Sequence, residues 1–303
     1  MQATIQFCET TKNFKAVVDG KVISRSRQRG YVEKKLAERG VLLNSVAEVA
    51  QAITKKTDEF GITKRFDFVK QMVGMVAKKT IASAIITGQG GLGKTHSVLK
   101  ALKDAGLRDI TDLASFEVGA VLNSSKSFRV VKGFSTAKGL YRTLFEGNGC
   151  VLVFDDCDSV LKDPVALNLL KGALDSYGDR YINWNSEMRD DELPRSFKFV
   201  GSIVFISNMD MDRIDQAVRS RAMCVDLSMT QDQKIERMES ILHDSEFMPE
   251  YDKEFKQDAL EFLRGIVQSV QNLSLRSLIS VVKIRAEGGN WQELAKYVLT
   301  QGA

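Results

Sequence analysis

The chain has 303 residues, of which 44% are hydrophobic and 27% charged, a composition typical of a globular protein with a full core. It contains no run of about 18 apolar residues and no signal-peptide pattern at its start, so we expect a cytoplasmic protein without membrane contact. The net charge of +4 is uneven, because residues 1–80 carry a balance of +8 and the remainder −4. This asymmetry hints at an anionic partner.

Residues 1–60 are predicted to form a small basic N-terminal module of ββα type. Two apolar runs predict strands at 4–7 and 14–18, and Asp19-Gly20 after the second is a hairpin signal. Helical patterns follow over 29–39 and from residue 45 onward.

Residues 61–227 alternate buried strand patterns with helical patterns, which predicts an α/β domain with a five-stranded parallel sheet covered on both faces. The predicted strands cover 81–87, 128–132, 150–154, 202–206 and 223–227, and the predicted helices cover 94–104, 136–145, 164–177 and 213–221. Residues 228–303 show only helical periodicity, over roughly 230–243, 253–269, 274–286 and 290–300, which predicts an all-helical C-terminal domain.

One segment fits the phosphate-binding pattern G-x-x-x-x-G-K-[ST] at every fixed position: Gly88, Gln89, Gly90, Gly91, Leu92, Gly93, Lys94 and Thr95. The glycines let the backbone wrap a phosphate, and the helix that follows adds its positive dipole end. Lys94 would supply a point charge to the β- and γ-phosphates, and the Thr95 hydroxyl would ligate Mg²⁺. His96, the next residue, is assigned to the same nucleotide-binding segment. The expected cofactors are ATP and Mg²⁺.

Two adjacent carboxylates, Asp155 and Asp156, follow the strand at 150–154, which we expect to neighbour the strand of the phosphate loop. Ligands of open α/β sheets bind at the carboxyl ends of the strands, so both carboxylates belong near the phosphates. We expect Asp155 to hold Mg²⁺ and Asp156 to position the attacking water.

The order of these motifs resembles the AAA+ ATPase superfamily, over residues 60 to 300. The resemblance implies that Asn208, after the strand at 202–206, acts as sensor 1, and that Arg276 acts as sensor 2 from a helical lid. It also implies an arginine finger that reaches a neighbouring subunit, with Arg221 favoured and Arg219 next, in a Ser-Arg pair similar to that of clamp loaders. Asp156 stands where the family usually has glutamate, so slow or assembly-dependent hydrolysis is expected.

The compact size and the acidic-strand region also resemble ATPases encoded by bacteriophages, which would place the protein in the host cytoplasm. The resemblance implies a homo-oligomer, a hexamer-like ring or spiral, that loads or remodels a DNA-associated complex with a protein partner. A basic stretch in residues 21–39 could contact DNA, or could equally be a solubilised face or a subunit contact.

Further segments suggest substrate contacts. A hairpin is predicted within 180–199, with its aromatic residues favoured as packing, and Phe134 or Lys138 could line a central pore. The alternatives are a protein remodeller that does not contact nucleic acid and a scaffold or filament protein that uses hydrolysis as a timer. A P-loop kinase would leave Arg276 and the helical third unexplained.

Overall fold

The computed structural model describes residues 2–8, 13–18, 21–26, 42–43, 60–112, 125–175, 178–185 and 193–301. The chain divides into two compact units, Met1–Gly61 and Ile62–Ala303. Within the described ranges, no helix is long and apolar enough to cross a membrane.

The first unit contains a four-stranded sheet in the order β3-β2-β1-β4. Its strands are β1 (Gln2–Cys8), β2 (Asn13–Val18), β3 (Lys21–Ser26) and β4 (Leu42–Leu43). The antiparallel pairing of Val18 with Lys21 confirms the predicted hairpin. The ββα description was wrong in its strand count, because a two-residue strand such as β4 is too short to show a period. The helices predicted at 29–39 and from 45 lie outside the described residues.

The second unit is built on a parallel sheet of six strands in the order β12-β5-β11-β8-β7-β6. These are β5 (Ser83–Thr87), β6 (Arg108–Asp109), β7 (Ser127–Lys132), β8 (Val151–Asp155), β11 (Ser202–Ile206) and β12 (Met223–Asp226). The prediction of five strands was wrong, because β6 has two exposed residues and carries no apolar signal.

Helices cover both faces of this sheet, as predicted for buried parallel strands. Alternate residues of β8 belong to different hydrophobic clusters, Leu152 and Phe154 to one and Val151 and Val153 to the other. The first cluster includes residues of α3 (Ala137–Glu146) and α4 (Pro164–Ala173), and the second includes residues of α1 (Ile62–Ala77) and α2 (Lys94–Asp104).

Two helix predictions within residues 61–227 need correction. Helix α4 ends at Ala173 instead of continuing to 177, and Leu174 takes its C-cap position. The helix predicted over 213–221 is a 3₁₀ turn, Met211–Arg213, followed by a short helix α5 (Gln216–Arg219). The side chain of Asp215 caps α5 by accepting a hydrogen bond from the N–H of Ala217. A capping residue at this position begins a separate helix, so the 3₁₀ turn and α5 are not continuous.

The hairpin predicted before β11 is confirmed by two antiparallel strands, β9 (Tyr181–Asn183) and β10 (Ser196–Lys198). Phe197 of this hairpin packs against α3, with its ring 5.2 Å from that of Tyr141 and 5.3 Å from that of Phe145, whereas Tyr181 is exposed. These contacts support the packing interpretation.

The C-terminal residues form four helices, α6 (Gln231–Leu242), α7 (Lys253–Ile266), α8 (Leu275–Glu287) and α9 (Trp291–Gln301). A 3₁₀ turn at Val267–Ser269 replaces the end of the helix predicted at 253–269. The four helices share a hydrophobic cluster of their own, which includes Met238, Leu260 and Val281. The described part of this region is therefore all-helical, as its periodicity predicted.

Candidate functional site

The glycine-rich loop between β5 and α2 has a backbone that only glycine adopts easily. Gly88 has φ 137°, and a Cβ atom there would lie 2.9 Å from the carbonyl carbon of Leu227. Gly91 has φ 73°, and Gly93, at the N-cap of α2, has φ 85°. These positive φ values produce the curvature of a phosphate-binding loop at a helix N-terminus.

Lys94 is the buried cation of this loop, with 5% of its surface exposed. Its Nζ donates to the carbonyl oxygens of Gly88 at 2.6 Å and Gln89 at 2.7 Å, and to Oδ1 of Asn208 at 2.9 Å. Burial lowers the pKa of Lys94, and the nearby carboxylates, Asp156 first, oppose that shift. The ammonium group is held by acceptors that an anionic ligand can replace.

Thr95 and Asp155 bring a hydroxyl and a carboxylate together, because Thr95 Oγ1 donates to Asp155 Oδ1 at 2.9 Å. The other carboxylate oxygen lies 3.5 Å from Nζ of Lys132, at the end of β7. Hard oxygen donors of this kind suit Mg²⁺, which is usually bound by one or two protein groups together with substrate phosphates. No group of three or more His, Cys, Asp or Glu residues that could hold a metal ion occurs in the described ranges.

The strand that carries Asp155 was predicted to be the immediate neighbour of the phosphate-loop strand. This prediction is wrong. Strand β11 lies between β5 and β8 and pairs with both. Strand β11 ends at Ile206, and Asn208 lies two residues beyond this end. The side chain of Asn208 therefore stands between the phosphate loop and the acidic pair.

Asn208 joins the two sides of the site. Its Nδ2 donates to Oδ1 of Asp156 at 2.7 Å, while its Oδ1 accepts from Lys94. Asp156 has φ 56°, an unusual value for a residue other than glycine, and its N–H donates to the Ile206 carbonyl at 3.2 Å. Strained backbone of this kind is often found at functional sites.

A second contact fixes the same two strand ends. Ser207 Oγ donates to Oδ1 of Asp158 at 2.6 Å, and the N–H of Met209 donates to Ser207 Oγ at 3.0 Å. Asp158 therefore links the loops that carry Asp156 and Asn208.

The start of α8 rests on the phosphate loop. The N–H of Leu275 donates to the Gly91 carbonyl at 2.9 Å. Ser274 is the N-cap residue of α8, and a Cβ atom at Gly91 would lie 3.0 Å from Ser274 Cβ and 3.8 Å from Arg276 Cδ. Arg276 is therefore beside the loop, where the sequence placed it.

A cavity of about 570 Å³ unites most of the predicted residues. Its wall includes Gly90 to His96, Asp155, Asp156, Asn208 and Arg276. Gly88 and Gln89 contribute through the carbonyls that hold Lys94. The wall also includes residues that the sequence analysis missed, namely Arg237, Ile241, Asp244, Glu246, Phe247, Met248, Leu275 and Ile279. An arginine within an amphipathic helix gives no signal that it faces a cavity.

The structure does not bring Arg219 and Arg221 to the cavity wall of their own chain. Arg221 Nη1 donates to the Ala217 carbonyl at 2.8 Å, and Arg219 Nη1 lies 3.5 Å from Oδ1 of Asp212. Both are partly buried, and the Nε of each has no hydrogen-bond partner among the described residues. Their site is the end of α5, next to β12.

No protein-family model matches the chain. It is 30% identical over 300 residues to the "Uncharacterized 36.7 kDa protein in nrdC-mobD intergenic region" of Enterobacteria phage T4, which covers 91% of this chain and 86% of that protein. The chain belongs to the family of this T4 protein. The description of the T4 protein states no activity.

Proposed function

We propose that this protein is an AAA+-type ATPase that binds Mg-ATP in the cavity between the phosphate loop and α8. The observation that carries the proposal is the hydrogen-bonded chain from Lys94 through Asn208 to Asp156, beside the Thr95–Asp155 pair. Phosphoryl transfer needs a cation that binds phosphate, oxygen ligands for Mg²⁺ and a group that positions the attacking water. Lys94, the Thr95–Asp155 pair and Asp156 could supply these three.

Each residue has a distinct task in this proposal. Lys94 exchanges its carbonyl acceptors for phosphate oxygens, and Thr95 and Asp155 hold Mg²⁺, which supplies charge neutralisation at the phosphates. Asp156 accepts a hydrogen bond from the attacking water, and Asn208 fixes the orientation of that carboxylate. Arg276 adds positive charge from the start of α8, where a cation does not stabilise the helix dipole.

Hydrolysis at an interface between subunits is part of the proposal. Arg221 and Arg219 carry buried Nε groups that find no partner in the described part of the chain, and both lie away from their own cavity. An arginine supplied from a neighbouring subunit of a ring or spiral would make turnover depend on assembly. The work of such an assembly would be to load or remodel a DNA-associated complex together with a protein partner.

The direct test is calorimetric binding of ATP with Mg²⁺, combined with phosphate-release assays. Lys94→Ala should abolish binding and release, whereas Lys103→Ala, a change at an exposed lysine on the same helix, should leave both intact. Equal ATP affinity in the Lys94→Ala protein and the unsubstituted protein would refute the proposed site.

The DNA partner has its own test, based on the basic stretch that begins in β3. Arg25 is exposed on β3, whereas Arg27 and Arg29 lie outside the described residues. We expect DNA to stimulate phosphate release at low salt, and the triple Arg25, Arg27 and Arg29→Ala variant to lose that stimulation but keep its basal rate. An ATPase that DNA leaves unchanged at every salt concentration would instead indicate a protein remodeller.

A further inference from the structure

One part of the cavity wall is not explained by phosphate binding. It consists of Arg237 on α6, the turn at residues 244–248, and the apolar side chains Ile241, Phe247, Met248, Leu275 and Ile279. Phosphates need cations and N–H donors, whereas this wall has a single arginine among apolar side chains and the two carboxylates Asp244 and Glu246.

Arg237 has an unusual setting for a charged side chain. Its guanidinium carbon lies 3.7 Å from the ring centroid of Phe66, which is 2% exposed and belongs to the core beneath α1. Nη1 makes one long hydrogen bond to Ser240 Oγ, at 3.4 Å, and the buried Nε has no partner in the described part of the chain. Burial lowers the pKa of Arg237, an effect that Asp244 and Asp67 oppose. The guanidinium thus lies over an aromatic ring, and no described residue accepts a hydrogen bond from its buried Nε.

The facing turn is fixed in place by several contacts. The buried Lys256 donates to the Phe247 carbonyl at 2.9 Å, and Asp244 Oδ1 accepts from the N–H of Glu246 at 3.0 Å. Glu246 is also paired with Lys100 of α2. Met248 has φ 47°, a left-handed value that a side chain disfavours. This much local constraint holds Phe247 and Met248 at the cavity.

We propose that Arg237, stacked on Phe66, contacts the nucleobase of a bound nucleoside triphosphate, with Met248 as a further part of the base-binding wall. This inference rests on the proposed function. The carboxylates Asp244 and Glu246 lie in the same wall and would repel a phosphate, whereas a guanidinium plane binds the face of an aromatic base. Arg237 therefore selects nucleotides over inorganic triphosphate.

The test compares a non-hydrolysable ATP analogue with inorganic triphosphate, both with Mg²⁺, by calorimetry. The unsubstituted protein should bind the nucleotide more tightly. Arg237→Lys keeps the charge but loses the planar group, so nucleotide affinity should fall about tenfold, while triphosphate affinity stays the same. Arg264→Lys, at an arginine paired with Glu239 outside the cavity, is the matched control.

A second variant guards against a folding defect at Arg237. Met248→Gly relieves the left-handed strain and removes a side chain from the wall, so nucleotide affinity should fall while triphosphate affinity holds. The inference is overturned if both variants bind the nucleotide as tightly as the unsubstituted protein, or if Arg237→Lys weakens both ligands equally. Binding of neither ligand by the unsubstituted protein would overturn the proposed function itself.

Discussion

The side-chain amide of Asn208 donates to the carboxylate of Asp156 across 2.7 Å, between residues that follow neighbouring strands. The same amide accepts from Lys94, so a single side chain connects the cation of the phosphate loop to the carboxylate proposed to position water. Aspartate is one methylene shorter than the glutamate usual at this position in the family that the sequence resembles. A direct bond from Asn208 fixes where this shorter side chain can reach.

Asn208→Ala should lower the turnover number about 10- to 100-fold with little change in KM, because it releases the Asp156 carboxylate without removing it. In the double variant with Asp156→Asn, the fold-decrease in turnover number should be smaller than the product of the two single decreases, because both substitutions remove the same contact. Steady-state phosphate release measures both effects, and Asn168→Ala on the exposed face of α4 serves as control. Independent, multiplicative losses would argue against the coupling.

Gly91→Ala should destabilise the protein more than Gly133→Ala, although both glycines have positive φ, 73° and 86°. A Cβ atom at Gly91 meets Ser274 at 3.0 Å, whereas nothing lies within 4 Å at Gly133. We expect an additional loss of about 1 kcal/mol in the free energy of unfolding, from overpacking between the loop and α8. Urea denaturation measures the difference. Equal losses of stability in the two variants would mean that Ser274 moves away from the added Cβ atom without destabilising the protein.

Arg221→Ala and Lys94→Ala proteins should each be inactive alone and regain some phosphate release when mixed. A mixed oligomer pairs an intact Arg221 of one subunit with an intact Lys94 of its neighbour, if the arginine acts between subunits. Titrating one variant against the other at constant total concentration provides the measurement. A mixture that stays inactive, while size-exclusion chromatography shows co-assembly, would assign Arg221 a structural role within its own chain.

The lowered pKa of Lys94 predicts a pH dependence of stability. The folded protein loses this proton at a lower pH than the unfolded chain, whose lysine has a pKa near 10.5. Between the two values the unfolded state binds more protons, so the contribution of Lys94 makes the protein more stable as pH rises through that window. Lys94→Met should lack this contribution in urea denaturation without nucleotide, from pH 8 to 10. If the free energy of unfolding varied with pH in the same way for Lys94→Met and the unsubstituted protein, this prediction would be wrong.

The contiguous parts of this site were the most predictable from sequence. Gly88 to Thr95 form a local pattern, and Asp155 could be assigned because an apolar run shows where a buried strand ends. The order of strands was not predictable, since apolar runs such as those of β8 and β11 do not encode which strands pair. The position of β11 beside β5 required the structure. The place of Asn208 near the phosphate loop and Asp156 was implied by the family resemblance and not by the apolar pattern.

Arg237 shows a different limit of sequence reasoning. Its place in the cavity depends on how α6 packs against α1, where Phe66 supports the guanidinium. Spacing along α6 shows only that the helix is amphipathic. The two-residue strands β4 and β6 were missed for a related reason, because backbone pairing alone defines them.

The most direct test of the account is a single-turnover experiment on Asp156→Asn. The variant and the unsubstituted protein are each incubated with Mg²⁺ and radiolabelled ATP, and bound ATP, bound ADP and released phosphate are measured over time. We expect Asp156→Asn to retain bound ATP and to hydrolyse it at least about 100-fold more slowly, while Asp104→Asn on the exposed face of α2 behaves like the unsubstituted protein. Hydrolysis by Asp156→Asn at the unsubstituted rate would contradict the assigned role of this carboxylate.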